Sequence, residues 1–162
     1  MSTPNENEFI IQKKSVVITN AEHLESIIGL IHDEFFVLDE ISFYKDEGII
    51  KIPYRRIFHN YPGKLVRNWL ISKTYEVDVI RSVLIIYNVK EYTFNDKYNL
   101  GTYSFNTISY DNESLIIECC EDIDLIFLVS ELKIESQDLK IKGKTRITKG
   151  LFWSSNNNNV YE

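Results

Sequence analysis

Between Ile31 and Tyr44 the chain reads IHDEFFVLDEISFY, which places His32, Asp33, Glu34, Asp39 and Glu40 within nine positions. One imidazole with two carboxylates is a donor set for a divalent metal, and the same groups serve general acid–base chemistry. Spacing limits which of them can meet. On a helix, residues three or four apart share a face and adjacent ones do not. His32 then faces Glu25 or Phe36 rather than Glu34, and Asp33 points away from the apolar side. If the helix ends at Asp33, His32 can approach Asp39. A metal-dependent or hydrolytic site near His32, Asp33 and Asp39 is therefore the enzymatic alternative for this chain. The plainer reading, a polar helix end followed by the start of a strand, is preferred because clustered polar groups are often structural.

The other reactive residues form no motif. Cys119 and Cys120 are adjacent, and neighbours on a strand point to opposite faces, so a bridge between them would be strained. Free thiols fit a reducing compartment. Pairing either cysteine with His32 or His59 as nucleophile and base requires a proximity that sequence does not reveal. A G-x-S-x-G elbow, a phosphate-cradling glycine loop and structural zinc spacings are all absent. No cofactor and no metal is expected, and the balance leans away from an enzyme.

Charge is the stronger lead. The net charge is −6, from 24 acidic and 18 basic residues, which argues against nucleic acid as a partner. Eleven of the basic residues nevertheless fall in two blocks that contain no acid. Lys51, Arg55, Arg56, Lys64, Arg67 and Lys73 form the first, and Lys140, Lys142, Lys144, Arg146 and Lys149 the second. The first block interleaves aromatics with its cations. Tyr54, Arg55, Arg56, His59, Tyr61, Lys64, Arg67 and Trp69 are accordingly the candidate binding residues, charge supplying attraction and flat rings supplying anchors. The expected function is a small cytoplasmic binding or accessory protein that contacts a protein or other anionic partner through residues 51–73, with the 139–153 segment as a second contributor. Immunity proteins that neutralise toxins offer an analogy of size and charge, which no motif carries. Single-stranded nucleic acid is the least favoured partner.

The elements that must position these residues follow from periodicity and composition. The 162 residues are the size of one domain, and aromatic and β-branched residues favour strands. Residues 1–8 read as a disordered N-terminus without the features of a signal peptide. Residues 9–138 read as one globular domain, and 139–162 as a basic arm with an Asn-rich tail. Residues 19–35 read as a helix, with Thr19 and Glu22 as a capping box and Leu24, Ile27, Ile28, Ile31 and Phe35 as its apolar stripe. Strands are expected over 37–44 and 49–58, turning at Asp46-Glu47-Gly48, with Pro53 marking an edge or a bulge. Further strands are expected over 79–94, 102–110, 114–120 and 123–134, while 65–75 fits helix or strand. VLIIY and LIFLV are apolar at consecutive positions, so both of their faces should be covered. The expected fold is α+β, one main N-terminal helix packed on a curved, mostly antiparallel sheet of five to seven strands, as a cystatin-like roll or a partly closed barrel. No run is long enough to span a bilayer, so no membrane partner is expected.

Overall fold

The computed structural model describes residues 15–57, 63–151 and 154–161. Within them the chain forms β1 (Ser15–Ile18), α1 (Glu25–Ile31), β2 (Phe35–Val37), β3 (Ser42–Tyr44), β4 (Ile49–Ile57), β5 (Lys64–Asn68), β6 (Ser72–Ile86), β7 (Val89–Phe94), β8 (Thr102–Asp111), β9 (Ser114–Cys119), β10 (Asp124–Val129), β11 (Ile134–Gly150) and β12 (Ser154–Tyr161). All twelve strands join one sheet. Its main path runs β1-β11-β6-β4-β2-β8-β9-β10-β7, with β12 on β11, β3 on β4 and β5 on β6. Every pairing is antiparallel. The sheet curls over itself: Ile18 at one end of the path and Val89 at the other belong to the same buried cluster.

This overturns the expected helix-on-sheet fold of five to seven strands. The helix is only seven residues long, follows a 3-10 turn at Ala21–His23, and lies against β1 and β8. Asn20, not Thr19, caps that turn, its side chain accepting from the Glu22 N–H at 3.0 Å. The chain leaves the helix at His32, and Asp33 adopts φ +64°, a left-handed conformation that Asp tolerates. Phe35 and Phe36 then pair with both β4 and β8. Phe35, read as the end of the helical stripe, thus serves the sheet, where an aromatic side chain packs better. Leu24, Ile27 and Ile31 do bury the expected stripe.

The additional strands come from residues 64–78, the second basic block and the tail, and from the division of the expected 37–44 and 79–94 strands into β2 and β3 and into β6 and β7. β6 and β11 are long, and they pair along almost their whole length. Pro53 lies at the break between β2 and β3 on one side of β4, where the chain detours through a 3-10 turn at Leu38–Glu40, so its missing N–H disrupts no continuous ladder there. The β8–β9 turn carries Asn112 and Glu113, both at positive φ, the signature of a two-residue hairpin loop. Residues 1–8 lie outside the described residues. Among those described, no helix is long and apolar enough to cross a membrane.

Candidate functional site

The period of two along β4 divides the first basic block between two faces of the sheet. Ile50, Ile52, Tyr54 and Arg56 point inward and are buried. Tyr54 and Ser136 share a hydrogen bond of 2.7 Å. The Arg56 guanidinium donates to both oxygens of Asp138, at 3.3 Å from Nε and 2.5 Å from Nη2, and Ser82 Oγ donates to the same carboxylate at 2.7 Å. These five residues sit on β4, β6 and β11, which places Arg56 in an internal ion pair instead of on a binding surface.

The opposite face presents a different set. Cross-strand register places Phe35, Arg55, Arg81 and Lys140 in one row over β2, β4, β6 and β11. Neighbouring strands lie roughly 5 Å apart, so the three cations span about 10 Å. Like charges directly opposite each other destabilise a sheet. Among the described residues none of the three makes an ion pair or a side-chain hydrogen bond. Exposed Glu40 lines one hollow with Arg55 and Arg81, and buried Glu34 lines another with Arg55.

The row crosses a groove made of linked hollows. A cavity of about 450 Å³ lies over Tyr44, Lys51, Pro53, Val83, Ile85 and Leu139, with Arg81 and Lys140 on its wall. Val83 and Ile85 belong to the VLIIY run, and their consecutive apolar neighbours are explained by a core on one face and this groove on the other. Lys51 lies over the Tyr44 ring at 5.0 Å. Phe35, Pro53, Arg55 and Arg81 form the neck of the groove. Beyond it a second cavity of about 150 Å³ is bounded by Glu34, Phe35, Arg55, Ile57, Val79 and Thr145, among others. Glu34 is buried, and the Ile57 N–H donates to its carboxyl group, 3.2 Å from each oxygen. Burial is the dominant influence, and it pushes the Glu34 pKa from the ordinary 4.5 up to about 8. At neutral pH the Glu34 carboxyl is therefore mostly uncharged, and Arg55 is the charge that this cavity shares with the centre of the groove.

The remaining candidates lie elsewhere. Lys64 and Arg67 are on β5, at the exposed margin of the sheet, and Trp69 follows them with the Arg67 guanidinium 4.8 Å from its ring centre. His59 and Tyr61 lie outside the described residues. Both basic blocks flank β6: β4 and β5 on one side carry the first, and β11 on the other carries the second.

The stretch IHDEFFVLDEISFY is dispersed. His32 Nδ1 lies 2.8 Å from the Asn106 carbonyl oxygen, and its Nε2 lies 3.6 Å from Asp33. The Cys120 thiol reaches Asp33 at 3.7 Å. A carboxylate thus stands between thiol and imidazole, so the thiol's partner is an acceptor and not the ring that would serve as its base. No hydrogen bond or ion pair joins Asp39 to His32 or Asp33 among the described residues. Among them, too, no group of three His, Cys, Asp or Glu side chains is arranged to hold a metal ion.

Arg81 is the site residue that sequence reasoning missed. Its signal was a lone cation ahead of the apolar VLIIY run, at a position whose neighbours in sequence are strand formers. Compared with known proteins, the chain matches no family model, no curated protein and no solved structure.

Proposed function

We propose that the protein is a binding module that lays an extended, acidic segment of a partner protein along the groove on the outer face of β4, β6 and β11. The observation that carries this reading is the row Arg55–Arg81–Lys140, three cations side by side on adjacent strands. Such a row costs the free protein stability, and an anionic ligand repays that cost by neutralising it. The apolar floor of Pro53, Val83, Ile85 and Leu139 gives the ligand surface to bury between its charges. An extended peptide alternates its side chains between two faces, which suits a shallow groove with separate polar and apolar contacts. The acidic remainder of the surface repels the same ligand elsewhere and directs it to this strip.

The test uses fluorescence anisotropy with an extended peptide of alternating Glu and Leu, and its Lys–Leu counterpart as control. The Glu–Leu peptide should bind, weaken as salt is raised, and lose affinity by about tenfold or more in Arg55→Met with Arg81→Met. Equal binding of both peptides, or no loss in the double variant, would sink the proposal.

A further inference from the structure

Beyond the groove, a different part of the sheet presents apolar residues that folding does not require. The first halves of β5 and β6 and the last half of β11 run together away from the core. The β5–β6 connection is a two-residue hairpin loop, closed by Trp69 N–H to the Ser72 carbonyl at 2.8 Å and Ser72 N–H to the Trp69 carbonyl at 3.3 Å. Its tip residues are Leu70, which is 103% exposed, and Ile71, 66% exposed. Neither tip residue has a positive φ, so the turn accepts most residue types and does not call for aliphatic ones. Water penalises leucine and isoleucine there. Gly150 pairs with Ser72, so Leu151, which follows it and is exposed as well, lies near the same tip.

The charges around this tip are one-sided. Lys73 and Lys149 are direct cross-strand neighbours one step behind it, another like-charge pair. Arg67 stacks on Trp69 at 4.8 Å. No carboxylate occurs from residue 51 to 75 or from 139 to 162 until the final Glu162, and Glu76, the nearest on β6, is engaged by Lys144 at 3.7 Å. Along the strands the order is therefore an aliphatic point, an indole, then a belt of cations. A protein pocket would demand a complementary cavity around a point this narrow. A lipid surface accepts it directly: aliphatic side chains enter the acyl region, Trp lies at the headgroup level, and Lys and Arg meet anionic headgroups.

We propose that this end of the sheet is a peripheral anchor, which docks on an anionic lipid surface by inserting Leu70 and Ile71. Such contact needs no membrane-crossing segment, and it departs from the expectation of no membrane partner, which rested on spanning segments alone. It leaves the outer groove free, since Arg81 and Lys140 lie further along β6 and β11 than Lys73 and Lys149.

Co-sedimentation with phosphatidylcholine vesicles, with and without phosphatidylserine, tests the assignment. The full chain should partition onto the phosphatidylserine vesicles alone, and less so as salt is raised. Leu70→Asn with Ile71→Gly exchanges two exposed tip residues that lie outside the core, so the fold should hold while partitioning falls by about tenfold or more. Lys73→Glu with Lys149→Glu should abolish partitioning, and unchanged circular dichroism would show that the sheet persists. The proposal is overturned if the native chain ignores both vesicle types. It is equally overturned if the Asn-Gly variant binds as well as the parent, or if the Leu70 and Ile71 exchange instead dissociates a dimer, which would make a second copy the occupant.

Discussion

Replacing Asp138 by Ala separates the internal role of Arg56 from a surface role. Arg56 and Asp138 are 7% and 6% exposed, and the carboxylate accepts two hydrogen bonds from the guanidinium and one from Ser82. Removing one member of a buried ion pair costs about 3–5 kcal/mol, because the other charge stays in a medium that solvates it poorly. A domain of this size has roughly 5–15 kcal/mol in total, so the loss is a large fraction of it. Urea denaturation followed by circular dichroism measures the change. Arg56→Met with Asp138→Leu removes both charges and should recover most of the loss, leaving a coupling free energy of about 2 kcal/mol or more in the double-mutant cycle. A cost below about 1 kcal/mol for Asp138→Ala would match a solvated surface pair and refute the internal placement.

Further expectations concern titration, reactivity and backbone. Because the Glu34 pKa is raised to about 8 from 4.5, the unfolded chain releases that proton first as pH rises. Its contribution to stability is therefore intact below pH 4.5, falls between 4.5 and about 8 by up to about 1.4 kcal/mol per unit, and is flat above. Glu34→Gln should flatten that slope in denaturation curves collected across the window. Of the two cysteines, exposed Cys120 should react with a thiol reagent in the folded protein. Cys119 is buried, which pushes its thiol up to about 12, and should react only on unfolding. Gly63 has φ +68°, and a Cβ there would meet the Glu76 carbonyl oxygen at 2.6 Å and Val77 Cγ1 at 2.8 Å. Gly63→Ala should loosen β5 from β6, seen as faster amide exchange over residues 64–68 with the core strands unchanged.

Local pattern carried the strands well and the long-range pairing poorly. VLII lies on β6 and LIFLV on β10, and the acidic turn before Ile49 stands where Asp46, Glu47 and Gly48 placed it. LIFLV is covered on one face only, since Ile126 and Leu128 are exposed, so the expectation of two covered faces fails there. The helix was overdrawn because Phe35 fits an apolar stripe as well as it fits a strand. Only the distant β4 and β8, which no local window contains, decide in favour of the sheet. The number of strands was undercounted for the same reason, since β5 and the second half of β11 are polar and owe their order to β6. Within the first basic block, Tyr54 and Arg56 were assigned to a binding surface, although both keep the parity of Ile50 and Ile52 and turn inward with them. The row through Arg81 was not legible, because register between β4, β6 and β11 is set by turns, bulges and packing far from the basic residues themselves.

The central claim is that Arg81 serves an anionic ligand at the expense of the free protein. Arg81→Met keeps the aliphatic stem over the groove floor and removes the charge. The paired measurement is melting temperature of the free protein and affinity for the Glu–Leu peptide. Relief of the two cross-strand repulsions should raise stability by roughly 0.5–1 kcal/mol, about 1–4 °C in Tm, while affinity falls by about tenfold. A variant that melts several degrees lower and binds the peptide as tightly as the parent would show that Arg81 supports the sheet, and would contradict the account.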